Sequence, residues 1–120
     1  LIDPCQSIAK TYKPISLTAN TQVITGTAAK QTYFCHIDIV VSAADNVAIV
    51  EGTGTTCATS TVGVFGGATA ATGWNFAANG GIVTGDGVSA VGATATTADN
   101  VCIFVSGTAQ VSGMIVWVQR

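Results

Sequence analysis

Residues 32–42 read TYFCHIDIVVS, and apolar and polar positions alternate along them. Tyr33, Cys35, Ile37, Ile39 and Val41 fall on one side, and Phe34, His36, Asp38 and Val40 on the other. A period of two is the signature of a strand with one buried face. The run NVAIVEG (46–52) follows after a short break, and the pair predicts a hairpin with AADN (43–46) as its loop. Two short strands are predicted within 14–26, one near 61–65, and others near 74–78, 81–85 and 87–91. Two stronger apolar runs, 100–107 and 109–119, close the chain. No segment keeps a 3.6-residue apolar period for ten residues without a glycine, so no long helix is predicted. Eight or nine short antiparallel strands separated by turns predict an all-β fold, a β-sandwich or jelly roll, with a closed barrel as the second choice. Residues 1–13 show no clear period and are expected to form an N-terminal arm or lead-in; 14–120 are expected to form a single sandwich domain.

Composition agrees with strands. The 120 residues include 18 Thr, 15 Val and 10 Ile against two Leu, and β-branched side chains favour pleated surfaces. Charge is scarce: 8% of residues are charged, where about 25% is usual. Three of the four cations, Lys10, Lys13 and Lys30, lie in the first thirty residues, and the fourth is Arg120. The net charge of −2 and the lack of a basic patch argue against a nucleic-acid partner. Apolar runs are short, below the ~20 residues of a spanning helix, so no membrane partner is expected. No signal-peptide pattern stands at Leu1, and the absence of an initiating Met leaves processing and an incomplete sequence both open. A surface with so little charge does not repel its neighbours, so an oligomer or one part of a larger shell or fibre is expected.

Candidate chemistry is sparse. His36, the single histidine, shares a strand face with Asp38, and the expected hairpin would bring Glu51 near them. An acid–base pair is one reading and a solvated polar stripe the favoured one, since no nucleophile motif accompanies them. EGTGTTC (51–57) lacks the lysine and following helix of a phosphate loop. Asp45, Asp86 and Asp99 match no calcium loop, and GDG (85–87) reads as a hairpin turn. The phrase ADNV occurs twice, at 44–47 and 98–101, each time before an apolar run; it is expected to form strand-entry corners and hints at two related halves of a sandwich. Trp74, Asn75 and Asn79 could form a sugar platform or interface, although a tryptophan here more often fills a core. Cys5, Cys35, Cys57 and Cys102 form no CxxC pair, so zinc is not expected. Free buried thiols and disulfides are both open, as are all three intrachain pairings; at least one disulfide is expected. Cys35 is placed on the inward side of its strand and Cys102 opposite in parity to Val101, Ile103 and Val105. Cys5, in the arm, is the candidate for a bridge to a neighbouring subunit. No catalytic residue, cofactor or metal ligand is assigned.

The order YFC (33–35), DNVAIVEGTGTTC (45–57), GGATAATGWNFAANGG (66–81), ADNVCIFVSG (98–107) and QVSGMIVWVQ (110–119) resembles a group of small tailed-bacteriophage virion proteins. The resemblance covers about residues 31–119 and leaves out the arm. Cys35, Cys57 and Cys102 fall where the family pattern carries cysteine; Cys5 lies outside it. The resemblance implies a non-enzymatic structural role, and the expected function is capsid decoration (cement). Trimers would clamp the major capsid protein on the virion surface after assembly in the host cytoplasm, with the arm laid across the shell. A head-fibre, tail-fibre or secreted adhesin-type module that recognises a glycan or receptor is the alternative.

Overall fold

The alternation in 32–42 does build the longest strand of the molecule. The computed structural model describes residues 2–120. In chain order it holds a helical turn, α1 (Pro4–Ser7), and ten strands: β1 (Thr11–Leu17), β2 (Thr21–Ile24), β3 (Thr32–Val41), β4 (Asp45–Thr53), β5 (Thr59–Phe65), β6 (Trp74–Phe76), β7 (Gly81–Thr84), β8 (Gly92–Ala93), β9 (Asn100–Val105) and β10 (Val111–Gln119). The strands form two five-stranded antiparallel sheets. The first runs β1-β10-β3-β7, with β8 beside the other end of β3; the second runs β2-β9-β4-β5, with β6 also beside β4. The pairings nest: β4 with β5 and β6, β3 with β7 and β8, β2 with β9, and β1 with β10. That is one long folded-over hairpin rolled into two layers, the jelly-roll path.

Period-two alternation turns Ile15 and Leu17, Ile37, Ile39 and Val41, Val47 and Ile49, Val101 and Ile103, and Val111 and Ile115 into the space between the sheets. Phe34 joins them, although it stands on the opposite parity to Ile37. The reason is a β-bulge: Val116 lies opposite His36 and Trp117 opposite Phe34, so Cys35 is the extra residue. The bulge sends Cys35 to the outer face of the first sheet, where it packs with Cys5 and Val118. The inward placement expected from simple alternation is thereby corrected.

Three further expectations change. Residues 32–42 and 46–52 are not a hairpin: β3 and β4 lie in different sheets, and Ser42–Ala44 carry the chain across the sandwich. Residues 87–91 form no strand; with Gly85 and Gly87 at positive φ, the segment loops out and only Gly92–Ala93 rejoin β3. GDG is therefore a bend between two strands that both pair with β3, and the Asp86 carboxylate accepts N–H bonds from Val88 (2.8 Å) and Ser89 (3.1 Å). The twin ADNV phrases open β4 and β9, which are neighbours in the second sheet. Ile49 faces Ile103, its counterpart in the second copy, so a local two-fold axis relates the two strands. The repeat describes one strand pair, where the sequence hinted at two halves of a sandwich.

Candidate functional site

The sequence candidates separate in space. His36 stands on the outer face of the first sheet. Its Nδ1 lies 2.9 Å from the Gly85 carbonyl oxygen and its Nε2 2.7 Å from Asp38 Oδ2. Both neighbours are obligate acceptors while the carboxylate is ionised, so the ring satisfies them only by carrying both protons. The hydrogen bond to Asp38 and then the one to Gly85 raise the His36 pKa above its ordinary 6.5. With both ring nitrogens engaged by Gly85 and Asp38, neither is free to take a proton from a substrate. His36 acts as a tie between β3 and the 85–91 loop.

Glu51 is nowhere near this pair. It lies buried at the end of the second sheet, where Oε2 accepts from the Ala95 N–H (2.7 Å) and Oε1 from Thr96 N–H (3.0 Å). Burial raises its pKa above the ordinary 4.5; the two N–H bonds oppose the rise, and the neighbouring Asp99 carboxyl adds to it. At the opposite end of the β4–β9 pair, Asp45 Oδ1 accepts from Ser106 N–H (3.1 Å), Ser106 Oγ (2.8 Å) and Gly107 N–H (2.9 Å). Its Oδ2 is buried and has no partner among the described residues. Asp45 thus fastens the end of the neighbouring strand, a scaffold role. Among the described residues no group of three His, Cys, Asp or Glu is placed to hold a metal ion.

Trp74 turns inward. Its ring stacks on Phe65 (centroids 5.8 Å apart) and lies 6.0 Å from Phe76, against the main core. Strand alternation sends Asn75 to the other face, and Asn79 sits in a left-handed turn (φ 61°). The three do not share a platform.

All four cysteines are bonded, Cys5 to Cys35 and Cys57 to Cys102. Cys5 is therefore used within its own chain, and the bridge expected to a neighbouring subunit is replaced by a staple that pins the arm. Asp3 strengthens the pin: its carboxylate caps α1 through Cys5 N–H (2.9 Å) and accepts from Ala90 N–H (3.0 Å) in the 85–91 loop. Residues 3–8 thus lie on the first sheet at Tyr33, Val116 and Val118. The pinned segment is not available to reach across a neighbouring surface.

What remains of that outer face is uncovered and mixes apolar with a few polar side chains. Across β1, β10, β3 and β7 the register lines up Pro14, Met114, Asp38 and Val83, with Tyr12, Val116 and His36 on one side of this row and Ser16, Ser112 and Val40 on the other. Val83 is 71%, Tyr12 68% and Val40 48% exposed. Two shallow grooves run here. One, of about 260 Å³, is lined by Lys10, Thr11, Tyr12, Met114 and Val116. The other, of about 450 Å³, is lined by Asp38, Ile39, Val40, Val83, Ser112 and Gly113. Scattered apolar residues are normal on a surface, but three exposed ones gathered on one sheet face, beside Asp38, His36, Ser16 and Ser112, make it a candidate contact area. The sequence signalled charge scarcity without locating it; the pairing of β7 beside β3 assembles the patch, and periodicity does not encode that pairing.

Comparison with protein-family models, curated proteins and solved structures finds no match to this chain.

Proposed function

We propose that the protein is a non-enzymatic structural component of a virion, a decoration protein that attaches to the major capsid protein and stiffens the head. The observation that carries this reading is the uncovered outer face of the first sheet on a chain with only 8% charged residues. Such a face is suited to contact with protein, since the cores of interfaces are poor in charge. The two disulfides support the same reading, because a particle outside the cell meets oxidising surroundings in which they persist. The order of motifs resembling phage virion proteins supports a virion setting. Quantitative mass spectrometry of purified particles tests it. Hundreds of copies per particle are expected; a few copies at the tail tip, or none, overturn the head placement.

The disulfides also favour a second reading, an exported binding module of fibre or adhesin type. Its recognition surface would lie on the Asn75–Asn79 side, without help from the inward Trp74. Glycan-array binding lost in Asn75→Ala and kept in Trp74→Phe would favour it over decoration.

A further inference from the structure

We infer that the bare outer face of the first sheet binds a second copy of this chain, face to face about a two-fold axis. The inference rests on the reading of that face as an association surface but seats a second copy on it, so that attachment to the major capsid protein would fall to another surface of the pair.

The grooves carry the choice of partner. Lys10 borders the first and Asp38 lines the second, and each groove is otherwise built from neutral side chains. Among the described residues the sole ion pair is His36–Asp38, made through Asp38 Oδ2, so Lys10 has no acidic partner among them and Asp38 Oδ1 is left to accept from a second cation. A two-fold axis lying in the interface sets the first groove of one copy over the second groove of the other. Lys10 then meets Asp38, and the projecting Tyr12 meets Val83 and Val40. The same contact forms twice, as an isologous interface requires. On a surface this poor in charge, two Lys–Asp meetings fix the register of a contact that is otherwise apolar.

The β1 edge argues against the other route to self-association through that strand, sheet extension. β1 is an edge strand of the first sheet, and it carries Lys13 and Pro14. Proline has no N–H to offer and lysine disfavours strand addition, so this edge is blunted while the face is not. Size sets the strength: with strands ~4.8 Å apart and ~3.4 Å of rise per residue, the four-stranded face spans roughly 450 Å² per copy before side-chain relief is counted. A pair then covers roughly 900 Å², below the ~1,200 Å² of standard specific interfaces, so the dimer is expected to be weak and to dissociate on dilution. A two-fold pair departs from the three-fold arrangement that the family resemblance implies.

Sedimentation of the full oxidised chain over a concentration series tests this. A mass of two chains at high concentration is expected. Val83→Lys, at a position too exposed to affect folding, should weaken the dimer at least tenfold. Lys10→Glu and Asp38→Lys should each weaken it, and the double exchange should restore it, with thermal unfolding confirming that every variant is folded. A monomer at all concentrations up to about millimolar, a trimer, or a dimer indifferent to Val83→Lys and to the charge exchange overturns the inference. Particle mass spectrometry reads something different, so a chain that dimerises through Val83 yet is missing from particles would refute only the virion placement.

Discussion

Each sheet of the sandwich has an outer face, and each face has a flap held by a disulfide, yet the two end in opposite conditions. On the second sheet, the turn bearing Cys57 is bonded to Cys102, and the outward Ala48 and Val50 are fully buried beside Phe104. On the first sheet, α1 is bonded to Cys35 but covers only the end near Val118, leaving Tyr12, Val40 and Val83 in the open. The second face is covered by its own chain where Ala48 and Val50 lie; the first is half covered, and the proposed association surface is on that side.

The largest test of the comparison removes the staples. Chain-entropy arguments assign about 4 kcal/mol to a loop the size of that between Cys57 and Cys102, and only a few tenths less to the one between Cys5 and Cys35. Loop size therefore hardly separates them, and coverage should. Urea unfolding of Cys57→Ala/Cys102→Ala should show a loss of about 4 kcal/mol plus the exposure of Ala48 and Val50. Cys5→Ala/Cys35→Ala should lose no more than about 4 kcal/mol and should open the chain near residues 8–10 to limited proteolysis. Equal protease resistance in the two variants would mean that the arm is held without its bond.

A smaller and sharper test makes the same change on both faces. Val50→Ala, in a fully buried site, should cost about 2 kcal/mol. Val83→Ala should stay within about 0.5 kcal/mol in dilute solution. Comparable costs at low concentration would show that the first face is already covered in the monomer.

The smallest effect is the pH dependence. His36, whose pKa is raised in the fold, contributes stability that is complete below about 6.5 and is lost as pH climbs through its raised value. Glu51, also raised, binds a proton more readily folded than unfolded, so its contribution grows as pH falls through its raised value and is complete below about 4.5. Asp86 works the other way. The Val88 and Ser89 N–H groups lower its pKa below the ordinary 3.8, so its contribution is lost as pH falls through that lowered value. The melting temperature should therefore rise from pH 8 to about 5 and turn down only in stronger acid. His36→Gln should flatten the limb near neutrality and leave the acid limb in place; an unchanged profile in that variant would remove His36 from the account.

Much of this was legible in the residues, and the misses share a cause. Alternation identified Ile37, Ile39 and Val41 as a core face, and it set Cys102 apart from Val101 and Ile103, because side-chain direction is a local property of a strand. Alternation says nothing about which strand lies alongside. Hence β3 and β4, adjacent in sequence, were expected to pair and instead lie in different sheets, which parted Glu51 from His36. It also assumes an unbroken ladder, so the bulge at Cys35 reversed a predicted direction and hid the Cys5–Cys35 bond. Trp74 shows a third limit: a tryptophan among glycines and asparagines reads the same whether it faces solvent or, as here, a row of phenylalanines.

The nested pairing of strands has a consequence for synthesis. β10 is made after the other nine strands and lies in the middle of the first sheet, between β1 and β3. Until Val111–Gln119 have been made, β1 has no neighbour, and the contacts that complete the layer span almost the full sequence. Topologies with such distant contacts fold slowly. A ribosome that stops before Val111 releases a chain lacking the centre of a layer, with two raw strand edges open to chaperones and proteases. Synthesis of β10 thus serves as the checkpoint for folding, because only then can the first sheet close.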